Sequence, residues 1–597
     1  MDENQVASPN DPLIPKDNER SRRHKHQKRL LFALGSTTLT FLVISCIVLF
    51  FVSKNSATDP SGYHGHIVSG KTGAVAVEAE ECSHTGIEIL KQGGNAVDAA
   101  IASGLCIGVI DSFATGIGGG GFMLIRSPNG TYEHIDFRET APAAAHKDMF
   151  VENPELAKYG GLAVAVPGEI RGYELAHQRH GKLPWSVLFE PAIRISREGF
   201  KCTSLLQERL KKAEPWLMEM PEWREIFAPN GHLAKAGDLI RRPNLANTLE
   251  TIAKEGADAF YKGEIAHHLV NATRAAGGIM TLEDMASYKP QIRASISTYY
   301  HGRKVVSCST PTSGPLIIAA LNILERFNLR LHGYTGLDLH RIIETLKHGF
   351  SFRTEFGDPD YIHNQERMEE IITKEWASRI RQNISDHTTY PPLYYHPRYD
   401  HIESHGTMHL SVVDGDDGAV ALTSTVNLLF GARFMDPVTG VILNDEMDDF
   451  SIPGKPNAFG LYPSEYNYVA PGKRPLSSIT PVIIESDGKF ELAVGGSGGS
   501  LIPTATLNVI LNVIDFEKDL YSAVNAPRYH HQLLPNAVVM EPDFSGVLEQ
   551  DLIRRGHEVF HLNTSQRISA VQAVMRLPDQ TVHGVSDPRK LGIAAAY

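Results

Sequence analysis

A threonine preceded by glycine, Gly406-Thr407 in "HGTMHLSVV", opens a strand-like run in mid-chain. A hydroxyl is a weak nucleophile unless a base stands beside it. An internal threonine has no free amine, whereas a threonine at a chain start carries an α-amine with an ordinary pKa of about 7.7–8.0, partly unprotonated at neutral pH. A second threonine-rich run, "LTSTVN", occupies 422–427, and the intervening "DGDDG" is a turn signal. With Asp416 at the turn's centre, Thr407 faces Thr425 across a hairpin with Cβ atoms ~5 Å apart, close enough for their hydroxyls to meet. Both threonines are also ordinary β-formers, so the pair alone does not define a site.

The elements that must position this hairpin come from a long chain. Its 597 residues are 42% hydrophobic and 21% charged, a globular composition with an ample core. A net charge of -12 argues against nucleic-acid partners, because phosphate neutralisation needs a basic face. Leu30 to Ser53 is 24 residues without a charge, long enough to cross a bilayer as a helix. Arg20, Arg22, Arg23, Lys25, Lys28 and Arg29 precede it and only Lys54 follows closely, which places the amino terminus in the cytosol. The expected organisation is a cytosolic tail (1–29), an uncleaved signal anchor (30–53), a stalk (54–65) and an extracellular or lumenal ectodomain, that is, a single-pass type II membrane protein. Removing the 7 basic and 5 acidic residues of 1–53 from totals of 57 and 69 leaves the remainder acidic, at 50 to 64.

Sequons at Asn129, Asn271, Asn383 and Asn563 suit this topology. Cys46 falls in the span, so Cys82, Cys106, Cys202 and Cys308 meet an oxidising compartment that favours at least one disulfide. With no CxxC pattern among its five cysteines, no metal site is expected. "AVDAAIASGLCIGVI" and "GLDLHRIIETLKHGFSF" read as helices, 384–405 as an exposed connector, and the chain beyond it as mostly strands until the helical "TATLNVILNVIDF".

From about Gly70 to Tyr597 the chain resembles the γ-glutamyltransferase (γ-glutamyl transpeptidase) family. The resemblance is carried, in order, by "GGNAVDAAIA", "GIGGGGFM", "FRETAP", "AVPGEIRGYELAHQRHG", "TSGP", "GTMHLSVV", "TSTVN", "ILNDEMDDF", "KRPLSS", "GGSGGS" and "APRYHHQLLP". It implies an α/β N-terminal-nucleophile hydrolase fold, a four-layer αββα sandwich. It also implies a precursor that cuts itself at Gly406-Thr407 into a large subunit (66–406) and a 191-residue small subunit (407–597) beginning with the catalytic threonine. Thr425 would support the Thr407 hydroxyl.

A γ-glutamyl donor such as glutathione carries an α-carboxylate and an α-ammonium at one end. Arg138 in "FRETAP" can fork onto the carboxylate, and the resemblance adds the hydroxyls of Ser477 and Ser478. Glu446, Asp449 and Asn427 can accept from the ammonium, although "NDEMDDF" by itself would equally suit a solvated turn or a calcium loop. "GGSGGS" lacks the Lys-Ser/Thr ending of a P-loop, and the resemblance makes the N–H groups of Gly498 and Gly499 an oxyanion hole. "GIGGGG" at 116–121 is read as a structural turn close to the nucleophile. The resemblance further implies a Cys82–Cys106 disulfide. The expected activity is transfer of the γ-glutamyl group from glutathione or its conjugates, through a threonyl ester, to water or to amino acids and dipeptides, with no cofactor. A glutaryl-type acylase and a catalytically inactive binding ectodomain are the alternatives. "NDPLIP" in the tail resembles a leucine-based sorting signal, which leaves cell surface and vacuolar or lysosomal membrane both open.

Overall fold

The computed structural model describes residues 66–331, 333–400, 406–563 and 569–597. The tail, span and stalk expected at 1–65 lie outside the described residues. Among those described, no helix is long and apolar enough to cross a membrane.

Strands Met408–Val413 and Ala419–Thr425 form the hairpin that the turn signal predicts. Their register runs from Met408↔Ser424 to Val413↔Ala419, and the Asp414 carboxylate closes the turn by accepting from the N–H groups of Asp416 and Gly418 at 3.0 and 2.8 Å. Alternation fixes the register energetically: Met408, Leu410 and Val412 enter one core cluster and Val413 another, so a one-residue slip would exchange the faces.

The hairpin lies inside a seven-stranded antiparallel sheet with strand order 595–596, 74–76, 408–413, 419–425, 120–126, 132–137, 291–293. A second antiparallel sheet of seven strands runs 68–70, 582–585, 570–576, 489–497, 482–486, 303–308, 295–300. Small and branched residues, among them Ala74, Ala421, Ile483, Ala493 and Val574, fill the space between the two sheets. Helices Glu80–Lys91 and Ala96–Ile110 cover the outer face of the first sheet, with Trp185–Glu198 packed on Ala96–Ile110; Gly314–Leu324 and Ile502–Ile514 cover that of the second, with Gly336–Arg353 packed on Gly314–Leu324. The order helix, sheet, sheet, helix is the one the sequence implies. Helix Ala96–Ile110 is buried on all sides, and Asn95 caps it by accepting from the N–H groups of Val97 and Asp98.

Cys82 and Cys106 are disulfide-bonded and staple Glu80–Lys91 to Ala96–Ile110. Cys202 and Cys308 are buried free thiols in different core clusters, so these two do not pair. All four sequon asparagines, Asn129, Asn271, Asn383 and Asn563, are exposed.

Two expectations need correction. Strands do not dominate after the connector: residues 426–481 form turns, short 3-10 helices and isolated bridges wrapped around the site. Nor is the described part of the connector simply exposed. Tyr395 is buried, and Thr389 and Tyr395 both donate to the Glu344 carboxylate at 2.6 Å, which pins the segment onto helix Gly336–Arg353.

Candidate active site

The Gly406-Thr407 junction is held in an unfavourable backbone conformation. Gly406 has φ +71° and Thr407 φ +101°. Positive φ at a β-branched residue is a true outlier and costs on the order of 1–3 kcal/mol. A side chain at 406 would place its Cβ 1.6 Å from the Asn427 carbonyl oxygen, so only glycine fits there. Both carbonyls of the junction are gripped: that of Gly406 accepts from the Gly498 N–H at 3.2 Å, and that of Thr407 from Lys590 Nζ at 2.8 Å. Thr407 and Thr425 are both buried, and Thr425 occupies the next register position opposite Thr407.

The glycine runs supply close backbone approach. Gly498 and Gly499, with φ +123° and +62°, turn the end of strand Lys489–Ser497 into the first turn of helix Ile502–Ile514, so the N–H of Gly498 lies near a positive helix end. In the other run, side chains at Gly118 and Gly119 would put their Cβ atoms 2.0 Å from the carbonyl oxygens of Ile442 and Thr425. That run is the expected structural turn beside the nucleophile, and no dinucleotide fingerprint.

Arg138 follows strand Tyr132–Phe137 directly and is fully buried. Its guanidinium pairs with Glu446 and Asp449 and also donates to the carbonyls of Pro475 and Leu476 at 3.4 and 3.3 Å. Burial works against its charge, but Glu446, Asp449 and Glu139 more than offset that and hold it above its ordinary pKa. Burial raises Glu446 well above the usual carboxylate range, against the pull of Arg138, and pushes Glu139 up to about 8. Buried Asp445 is raised as well, chiefly by desolvation. The cluster thus joins one permanent cation to several carboxyls, an arrangement that can receive a zwitterion by exchanging partners.

Asn427 links this cluster to the nucleophile. Its N–H donates to Thr425 Oγ1 at 2.7 Å, its Nδ2 donates to the Asp445 carbonyl at 3.2 Å, and its buried Oδ1 has no partner among the described residues, so it can accept from a ligand. Asn444 organises the backbone around it. Its side chain accepts from the N–H groups of Ala165 and Glu446 at 3.0 Å and donates to the carbonyls of Gly118 and Ala165 at 2.8 and 2.9 Å. Ser477 and Ser478 follow the two carbonyls that face Arg138. Ser477 Oγ accepts from the Ile479 N–H at 3.2 Å, and Ser478 Oγ accepts from Arg353 Nη2 at 2.8 Å.

Every residue expected at the site is thus brought into one connected region. The sequence reading missed several neighbours. Arg353, whose pKa burial pushes down to about 10, is a second guanidinium near Asp449. Glu139 is buried beside Arg138 and Glu446. Glu169 is pushed up to about 7 by burial and accepts from Ser424, which in turn accepts from Thr115 at 2.7 Å. Lys590 and Glu78 lie at opposite ends of the described chain. The signal for Glu169 was its place after the apolar run in "AVPGE"; Glu139, between Arg138 and Thr140 in "FRETAP", gave no such signal. His409, two residues beyond Thr407, is no base: burial pushes it down to about 3, and its ring bonds with Thr423 and Ser411 at 2.7 and 3.0 Å.

Among the described residues, His340, Glu344 and His557 could converge on a metal. Hydrogen bonds already close this group: His340 Nδ1 lies 2.7 Å from His557 Nε2, and its Nε2 lies 2.6 Å from the Ser385 carbonyl oxygen. Lys347 Nζ, 3.7 Å from Glu344, supplies the cation.

A family model described as Gamma-glutamyltranspeptidase matches residues 82–597. The glutathione hydrolase proenzyme 1 of Schizosaccharomyces pombe is 47% identical over 583 residues, covering 94% of this chain and 92% of that protein. The glutathione hydrolase proenzyme of Escherichia coli is 39% identical over 544 residues, covering 89% and 93%. Among solved structures, a cephalosporin acylase from Bacillus halodurans matches with a TM-score of 0.79 at 26% identity, covering 91% of this chain and 99% of that one. The gamma-glutamyltranspeptidase of Helicobacter pylori matches at 34% identity with a TM-score of 0.51, over 52% of this chain and 91% of that one.

Proposed function

The chain belongs to the gamma-glutamyltranspeptidase family, and from that premise and the geometry of the site we propose how it works as a self-cleaving γ-glutamyltransferase and glutathione hydrolase. In the precursor, Thr407 Oγ attacks the Gly406 carbonyl carbon. The oxygen of that carbonyl takes the negative charge against the Gly498 N–H, the hydroxyl proton passes to the Thr407 nitrogen as the C–N bond breaks, and water hydrolyses the resulting ester. Thr407 then starts the small subunit with a free amine. In turnover this amine accepts the hydroxyl proton while Oγ attacks the γ-carbonyl of the donor. The oxyanion rests on the N–H groups of Gly498 and Gly499, and one such donor is worth ~3–4 kcal/mol in the transition state. The proton passes to the departing amine of the cysteinylglycine portion, and a γ-glutamyl ester remains on Thr407. Water, or the amine of an amino acid or dipeptide, then releases it.

In this reading Arg138 receives the α-carboxylate with help from Ser477 and Ser478. Glu446, Asp449 and Asn427 receive the α-ammonium, and Thr425 supports the nucleophile. One observation carries the proposal: the strained Gly406-Thr407 junction, its scissile carbonyl already resting on the Gly498 N–H. The test is intact-mass and N-terminal analysis of the purified protein with an assay on γ-glutamyl anilide. Wild type is expected to yield a fragment beginning Thr-Met-His-Leu and to turn over; Thr407→Ala is expected to stay whole and inert. A wild-type chain that stays whole while folded would overturn the reading. A glutaryl-type acylase would prefer glutaryl anilide, which lacks the ammonium that Glu446 and Asp449 await.

The apolar stretch 30–53, with its basic residues on the amino-terminal side, supports a type II anchor at the cell surface or the vacuolar or lysosomal membrane. Microscopy of full-length and tail-deleted chains distinguishes the two membranes.

A further inference from the structure

The grip on the Thr407 carbonyl belongs to a larger buried arrangement. Lys590 Nζ donates to that carbonyl at 2.8 Å and to both oxygens of Glu78 at 3.0 Å. The Glu78 carboxylate accepts in addition from Ser497 Oγ at 2.6 Å. Ser497 directly precedes Gly498, so a single carboxylate ties the oxyanion turn to the cation that holds the nucleophile. Glu78 is fully buried at its side chain and Lys590 nearly so. An ammonium this well desolvated acts on its neighbours far more strongly than one in water.

Two consequences follow. After the cut, nothing upstream holds Thr407, and rotation about its Cα–C bond would carry the α-amine and the hydroxyl together away from the oxyanion turn. A fixed carbonyl stops that rotation. The positive charge also disfavours a second positive charge on the amine of the same residue. The other charged groups around this spot are Glu78, ahead of helix Glu80–Lys91; Asp111, at the end of Ala96–Ile110; and Arg209, on helix Ser204–Leu217. Burial and Glu78 push Asp111 up to about 8, while Lys590 and Arg209 oppose this. Asp111 is therefore largely neutral near pH 7 and leaves the Lys590–Glu78 pair and Arg209 as the local charges, with the Lys590 ammonium toward Thr407.

We propose that Lys590, oriented by Glu78, is a positioning residue for Thr407, which anchors its carbonyl during self-cleavage and keeps its freed α-amine unprotonated. This rests on the self-cleaving reading above. If wild type yields neither the Thr407 fragment nor γ-glutamyl turnover, that reading fails before any variant is compared.

The test is the pH dependence of kcat/KM on γ-glutamyl anilide, together with the self-cleavage rate, for wild type, Lys590→Met, Lys590→Arg and Glu78→Gln. Lys590→Met should move the acid limb up by about one pH unit and slow self-cleavage ~10-fold. Lys590→Arg keeps the charge and should return both towards wild type. Glu78→Gln leaves the ammonium uncompensated and should move the acid limb down. Opposite shifts are the signature, since simple loosening would move both variants the same way. An acid limb that stays put in Glu78→Gln, or shifts in the same direction in both variants, overturns the proposal. The Glu78→Gln profile decides the matter even if Lys590→Met does not fold.

Discussion

Gly406 meets two constraints at once, a left-handed backbone and the Asn427 carbonyl where a Cβ would sit. Gly406→Ala adds one methyl group at a point where no side chain can yield. The junction must shift, and displacing an attacking atom by ~1 Å can cost ~10²-fold in rate. We expect Gly406→Ala to fold, since the strain is local, and to cut itself on the order of 100-fold more slowly, read as the ratio of precursor to small subunit over time. Wild-type cutting by this variant would mean that Thr407 attacks from another conformation. The sequence makes this residue legible because glycine and threonine are adjacent. Arg138 and its carboxylates become legible only with the family resemblance, because "NDEMDDF" by itself would equally suit a solvated turn or a calcium loop. Lys590 and Glu78 are not, because they meet 512 positions apart and each carries a residue type common on surfaces.

At the scale of elements, the hairpin register follows from its turn, and the three helical runs from their apolar content. Residues 426–481 resist such reading because their order comes from side chains bonding to backbone, which leaves no period in the sequence. Asn444 is the centre of that order. Its four hydrogen bonds tie the turn before Glu446 to the glycine run at Gly118 and to Ala165. Asn444→Ala orphans several buried backbone groups, each worth ~1–3 kcal/mol if unsatisfied. We expect ~2–4 kcal/mol of lost stability by denaturant unfolding, and a rise in KM for γ-glutamyl anilide, because Glu446 loses the anchor of its own N–H. Unchanged KM with lowered stability would confine Asn444 to the scaffold.

Over the whole molecule, buried titratable groups of two kinds oppose each other with pH. Burial pushes His134 and His530 down to about 4, His348 and His409 to about 3, and His557 to about 2. Unfolded, each binds a proton below ~6.5. The unfolded state therefore gains protons first as pH falls, and stability is lost below that point. Burial also pushes Asp111 and Glu139 up to about 8 and Glu169 up to about 7. These are protonated in the fold and ionised when unfolded at neutral pH, so between ~4 and ~8 they make stability fall as pH rises. Below ~6.5 the five histidines act against the buried carboxyls; above it the carboxyls act without them, until Lys347 and Lys473, which burial pushes down to about 8, begin to titrate. The thermal midpoint should therefore peak at about pH 6–7 and decline on both sides, measured from pH 4.5 to 8 at constant ionic strength. Asp111→Asn removes one of the opposing carboxyls and should flatten the alkaline decline while steepening the acid one. A midpoint that climbs steadily to pH 8 would instead mean that Asp111, Glu139 and Glu169 are ionised inside the fold, and that the carboxyl cluster around Arg138 holds more negative charge than one guanidinium can balance.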